Sequence, residues 1–235
     1  MANYEHLALV RRGPEAIAAW CAEHPLERLD LEAADLTGIH LQGAHLAGAN
    51  LEKAQLQQAH LEAANLQRAR LRAANLEGAN LQNASLQDAQ MVRLYLPNAQ
   101  LQNAQLQRAH LHGAYLQNVQ MQGANLVQAR LQWAYLYGTH LEDVELCEAS
   151  LQWANLQEAQ LQRAQLRRAD LREAVFGQTV FDHTDLSGAM GLETCRHEGT
   201  SSLDADTLRQ SGSVPEHFLR GCGCSEDLIK RYRQA

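Results

Sequence analysis

The chain is 235 residues long and 46% hydrophobic, so it can bury a real interior and is too apolar to be wholly disordered. Its 20 basic and 27 acidic residues leave a net charge of −7, which argues against a general nucleic-acid binder. Only 5% of the residues are aromatic, and Ala, Leu, Gln, Glu and Arg dominate, a composition that by itself favours long helices.

The N-terminal segment reads as two short helices. The first runs from Tyr4 to Arg12 and breaks at Gly13. Pro14 suits the first turn of the second, which runs to Glu23, carries Ile17 and Trp20, and stops before Pro25. Glu5 interrupts the opening residues, so no apolar signal-peptide run is present. No stretch approaches the roughly eighteen apolar residues that a membrane-spanning helix requires. The five cysteines, Cys21, Cys147, Cys195, Cys222 and Cys224, are odd in number and irregularly spaced, so no disulfide framework is implied. The expectation is a cytoplasmic protein with no membrane association.

From Leu31 to Leu186 every fifth residue is Leu, with Met91, Met121, Phe176 and Phe181 as the substitutes, giving 32 pentads without a phase slip. Two residues before each lies a small residue, usually Ala; the departures are Leu29, Ile39, Leu94, Val119, Thr139, Val144, Thr179 and Thr184. One long helix cannot use this pattern. Five residues advance about 500°, so each repeat rotates its Leu by about 140° and no stripe forms. A flat strand fails as well, because spacings of two and three break the alternation of faces. A chain that bends once per pentad satisfies it, with one large and one small apolar side chain inward and three polar ones outward.

The motif A-(D/N)-L-x-x, seen at Ala34-Asp35-Leu36 and Ala49-Asn50-Leu51, resembles that of the pentapeptide-repeat family. The resemblance implies an all-β solenoid, a right-handed quadrilateral parallel β-helix with four pentads per turn. Thirty-two pentads then give about eight coils and a rod roughly 38 Å long at about 4.8 Å per coil. On this reading residues 1–29 form a helical N-terminal cap, 30–190 the β-helix, and 191–235 a linker and short helical C-terminal cap, since exposed solenoid ends need covers. The residue before Leu is often Gln, His, Arg or Tyr instead of Asp or Asn (Gln55, His60, Arg70, Tyr95), which predicts fewer local backbone hydrogen bonds there.

After Leu186 the repeat ends. Arg196 to Ser202 reads as a loop, followed by short helices over about Asp204–Gln210, Pro215–Leu219 and Glu226–Arg233, with Ser225 as N-cap. The run from Thr207 to Gly212 and then Pro215 to Gly223 is similar to a linker that precedes TIR-type effector domains in some signalling proteins. The resemblance suggests an adaptor or the remnant of a larger architecture; a plain C-terminal cap is the other reading.

No catalytic set emerges: there is no Gly-rich phosphate loop, no G-x-S-x-G and no H-E-x-x-H. His40, His45, His60 and His140 fall on outward positions. Cys195, His197, His217, Cys222 and Cys224 are zinc-ligand types, but the C-x-C spacing is tighter than the usual pair and no second regular pair exists. Idle or buried thiols are the simpler reading, and no enzyme activity, cofactor or metal is expected.

Residues twenty apart should stack in columns. Tyr95, Tyr115 and Tyr135 share one column, Trp133 and Trp153 the column two places earlier, and Tyr137 lies two places later, so all six outward aromatics gather around one corner and its adjoining face. They form either a self-stabilising ladder or a docking surface for a protein partner or a second copy of the chain. Arg68, Arg70, Arg72, Arg108, Arg130, Arg168 and Arg172 occupy three neighbouring columns, and no carboxylate lies between Asp88 and Glu142. That stripe is either a solvated face or a site for an acidic protein or polyanion. The leading expectation is therefore a non-enzymatic interaction scaffold. The alternative, protection of gyrase by imitating duplex DNA, requires dense negative charge; residues 31–190 carry 15 acidic and 11 basic residues, and the middle is net positive.

Overall fold

The computed structural model describes residues 3–234. Two helices come first, α1 (Tyr4–Val10) and α2 (Pro14–Glu23). Asn3 starts α1 by accepting hydrogen bonds from the Glu5 and His6 amides, and Gly13, at φ +95°, makes the corner into α2. Val10 and Ile17 are buried, and Trp20 lies between His6 and His24 at ring distances of 5.0 and 4.8 Å.

From Asp30 onward parallel bridges join residues twenty apart, from Asp30↔Asn50 to Asp170↔Met190, with no change of offset. A parallel β-helix with four pentads per turn is the only chain path consistent with that ladder. Each Leu amide from Leu31 to Leu171 donates to a carbonyl of the following coil, as Leu31 does to Asn50 at 2.7 Å, and the outward residue donates back to the preceding coil, as Asn50 does to Leu29 at 2.8 Å. Between successive pentads a turn closes from the next Ala amide to the Leu carbonyl, as in Ala34 to Leu31 at 3.0 Å.

The third turn residue is left-handed in every pentad from Ala33 to Gly188, yet only 8 of these 32 residues are glycine. A left-handed non-glycine residue costs on the order of 1 kcal/mol. The cost is offset because the turned peptide aims its N–H along the rod, where it meets a carbonyl of the next coil (Ala33 to Glu52, 2.8 Å). The Leu and Ala positions line the interior and are almost all fully buried. Burying one Leu contributes about 2 kcal/mol. Thr139, Thr179 and Thr184 replace Ala without leaving a buried hydroxyl unpaired, since each donates to a backbone carbonyl of the preceding coil at 2.7–2.9 Å.

The outward position before Leu behaves as its residue types dictate. Asp and Asn accept from the amide two residues on, as in Asp35 with Thr37 and Asn65 with Gln67. Gln55, Gln105 and Gln160 instead reach back to the carbonyl two residues earlier.

Past the last pentad the structure departs from the expected loop. Arg196–His197 form a strand, β2, parallel to β1 (Val175–Phe176), and Ser202 bridges Val180, so pairing continues with larger offsets and no repeat. Helices α3 (Ala205–Ser211), α4 (Glu216–Gly221) and α5 (Glu226–Gln234) follow, close to the spans read from sequence. Along α3 the side chains of Asp204, Thr207 and Ser211 accept from the amides of His183, Thr184 and Leu186, and Thr207 donates to the Phe181 carbonyl at 2.5 Å. Polar side chains thus take the role that a further coil's backbone would have. Phe218 of α4 fills the interior behind them against Phe176 and Phe181.

Candidate interaction surface

The ladder fixes where every outward side chain stands. Tyr95, Tyr115 and Tyr135 are bridge partners in sequence, so their side chains leave the same face one coil apart. Tyr115 and Tyr135 stack with ring centroids 4.9 Å apart and planes 8° apart; Tyr95 lies 5.8 Å from Tyr115, tilted by 51°. At the adjoining corner Trp133 and Trp153 stack in the same way, at 4.9 Å and 8°. The five residues are between 39% and 51% exposed. None of the three phenol hydroxyls or the two indole N–H groups bonds to a described residue.

Both tryptophans occupy the left-handed turn position, at φ +60° and +57°. Gly113, in the same column one coil before Trp133, holds this conformation without a side chain. Tyr137 is on the same face but apart from the ladder. Its hydroxyl engages Glu158, which, with some burial, raises the phenol above its ordinary value.

The arginines divide into paired and unpaired sets. Arg108 makes a bidentate bond to Asp88, one coil earlier in its own column, at 2.8 Å through each oxygen, and this holds the Asp88 carboxyl below the usual carboxylate range. Arg70 pairs with Glu52 at 2.6 Å. Arg172 clasps Asp170, and Arg168 lies 3.7 Å from Glu148. Arg68, Arg72, Arg93 and Arg130 make no ion pair with a described residue. Burial, and then the neighbouring Arg130, hold the His110 imidazole below its usual value. The positive stripe is therefore discontinuous: Arg130 is a free member of it in the pentad that ends at Trp133, and Arg93, outside the stripe, is a free cation in the tryptophans' own column two coils before Trp133. Sequence columns show which residues align; the offsets of 18 and 20 residues that join Glu52 to Arg70 and Asp88 to Arg108 appear only once the coils are stacked.

The cysteine and histidine set at the C-terminal end is only partly assembled. Cys195 Sγ lies 3.5 Å from His197 Nε2, and His217 Nε2 bonds the Cys195 carbonyl at 2.8 Å. Burial pushes the Cys195 thiol up to about 12 and raises Cys222 as well, so neither is a reactive thiolate. His183, Asp204 and Asp206 do converge, at 2.8 and 3.0 Å, but Asp204 also accepts from the His183 and Thr207 amides and Asp206 pairs with Arg209. These groups satisfy one another at the rod's edge.

A family model for pentapeptide repeats matches in 8 copies, over residues 26–62, 64–99, 95–132, 124–161 and 159–190. Among solved structures, a trypsin-treated form of QnrB1, a plasmid-mediated fluoroquinolone resistance protein, is similar at TM-score 0.51 and 16% identity, covering 80% of this chain and 98% of that one. HetL, a pentapeptide repeat protein involved in heterocyst differentiation regulation from the cyanobacterium Nostoc sp. strain PCC 7120, is 27% identical over 79% of this chain and 87% of its own, at TM-score 0.40. No curated protein matches the chain in sequence. The fold these matches share is a right-handed β-helix solenoid.

Proposed function

This chain belongs to the pentapeptide-repeat family, and from that premise we propose that it is a non-enzymatic scaffold whose aromatic and arginine side docks a protein partner. On this reading a rod of eight coils, closed by helices at both ends, holds the docking side rigid. The observation that carries it is the pair Trp133 and Trp153, exposed and stacked on one another at one corner. Their presence beside a tyrosine ladder at one corner favours recognition over fold. The similarity of the C-terminal segment to a TIR-associated linker favours a partner in a signalling or defence system. The free cysteines favour the cytoplasm, and no helix among the described residues is long and apolar enough to cross a membrane.

The test is affinity capture with Trp133→Ala, Tyr135→Ala and with the unaltered chain, each checked by thermal unfolding. Capture should be lost in the double variant with little change in Tm. Equal capture by both proteins would remove the basis for this reading. A second reading, protection of gyrase by DNA mimicry, has in its favour the fold shared with a fluoroquinolone resistance protein. The carboxylate-free stretch between Asp88 and Glu142 weighs against it. Inhibition or drug protection in a supercoiling assay would reverse the order.

A further inference from the structure

We propose that the side of the rod between Tyr95 and Trp153 receives an acidic α-helix of the partner protein, lying along the rod axis with carboxylates at positions i, i+4 and i+7. The inference rests on the docking role proposed above and adds the chemistry and geometry of the occupant.

Hydrogen-bonding capacity is the first ground. The two indoles and the guanidinium groups of Arg93 and Arg130 are donors with no acceptor atom, and the tyrosine hydroxyls are free to donate. All are without a described partner, and the sequence supplies no carboxylate from residue 89 to 141 to meet them. Aromatic rims add to the same sign, since the quadrupole is negative on the ring face and positive at the edge. The surface is thus rich in unpaired donors, and Glu158, on the same side, is engaged by Tyr137. Its complement is acceptor-only, and ionised Asp and Glu are the protein side chains of that kind.

Geometry is the second ground. The rings leave the rod one coil apart, with centroid separations of 5.8 Å for the tilted Tyr95–Tyr115 pair and 4.9 Å for the stacked Tyr115–Tyr135 pair. On an α-helix the steps from i to i+4 and from i+4 to i+7 rise about 6.0 and about 4.5 Å. Same-face residues of an extended strand are about 6.7 Å apart and drift out of step with the ladder. Nucleobases would need open ring faces. Tyr115 has a ring on each side, and the two tryptophans cover one another. A protein helix fits this arrangement better than a stacked nucleic acid does.

The test uses the full chain and a fluorescent, designed helical peptide of about 20 residues, long enough to hold helix in water, with Glu at i, i+4 and i+7. A second peptide of the same composition has Glu at alternate positions, and single-stranded DNA is the third probe. Fluorescence anisotropy should show the helical-register peptide binding more tightly than either. Arg93→Glu with Arg130→Glu should weaken it by about tenfold or more, equivalent to about 1.4 kcal/mol. Tyr115→Phe with Tyr135→Phe, which keeps the rings and removes the hydroxyl donors, should weaken it by about threefold. Arg93→Gln with Arg130→Gln repeats the charge test without reversing sign, and thermal unfolding confirms that each variant is folded.

Three results would overturn the inference: no binding of the helical-register peptide, equal binding of both peptides, or stronger binding of DNA through the same arginines. If the peptide fails while Trp133→Ala, Tyr135→Ala still abolishes capture of the cellular partner, the scaffold stands and only the acidic helix is wrong. If the double variant captures as the unaltered chain does, both are wrong.

Discussion

Two sides of one rod, built on the same backbone, use their side chains in opposite ways. On the side that carries residues 80, 100, 120, 140 and 160, polar groups bond to one another. Gln82 donates to Gln100 and Gln102, Asn80 to Glu62, Gln122 to Gln120 and Gln162 to Gln160, and His140 lies 3.1 Å from Glu142. On the side that carries Tyr95, Tyr115 and Tyr135 the rings pack on one another, and their hydroxyls have no described partner. The backbone ladder is common to both, so the difference lies in which residue type fills each column. A solenoid of this kind separates holding from binding: inward positions fix the shape, and each outward column can be set for cohesion or for contact.

Removing the common support should damage both sides together. Leu106→Ala leaves a hole at the centre of a coil and should cost about 3 kcal/mol, read as a lower denaturation midpoint and weakened capture. Opening the C-terminal edge is next. Thr207→Val removes a hydroxyl that accepts from the Thr184 amide and donates to the Phe181 carbonyl. The loss leaves buried backbone groups unpaired and should cost about 2 kcal/mol, measured by urea unfolding.

Acid should act at that same end as well as at His110 within the repeat. His197 is packed against Phe176 and Phe218, and an added Cβ on Gly221 would meet its ring at 2.2 Å. Burial first, and then the nearby His217, hold its imidazole below the ordinary value, so the folded protein keeps it neutral. The unfolded chain takes up the proton first as pH falls. This contribution is complete above about 6.5 and is lost as pH drops toward the folded value. Thermal midpoints recorded between pH 7.5 and 5 should therefore decline, and His197→Phe should flatten the decline.

The two sides themselves separate at smaller magnitudes. Gln82→Ala loses bonds to Gln100 and Gln102 and should cost about 1 kcal/mol of stability, with capture unchanged. Tyr115→Ala should show the reverse balance, with capture reduced and stability altered by less than about 1 kcal/mol. The smallest effect is at the turns. Lys53 is left-handed at φ +56°, and Lys53→Gly should change stability by only a few tenths of a kcal/mol, because relief of strain is offset by the added freedom of the unfolded chain.

The solenoid and its columns were legible in the sequence because the phase of the Leu positions never slips between Leu31 and Leu186. Given four pentads per turn, the alignment of Tyr95 with Tyr115 and of Trp133 with Trp153 followed directly. The left-handed turn position was not legible, since residues such as Lys53, Arg93 and Trp133 fill it as readily as Gly113; its cause is an inter-coil bond that no local pattern records. The strand at Arg196–His197 was missed for a similar reason: its partner Val175–Phe176 supplies the register, not its own sequence. The pairing of Arg70 with Glu52 and of Arg108 with Asp88 reduces an apparent arginine stripe to a few free cations. Asp204, Thr207 and Ser211 did carry a signal, small polar residues at three- and four-residue spacing on a helix, but its meaning depends on the open edge they meet.

The proposed function requires the aromatic side to be the contact side. Hydroxyl-radical footprinting of the full chain, with and without its captured partner, reads this directly. Tyr95, Tyr115, Tyr135, Trp133 and Trp153 should lose reactivity in the complex while His60 and His140, on the self-bonded side, keep theirs. Unchanged reactivity of the five rings, or protection of the two histidines alone, would contradict it.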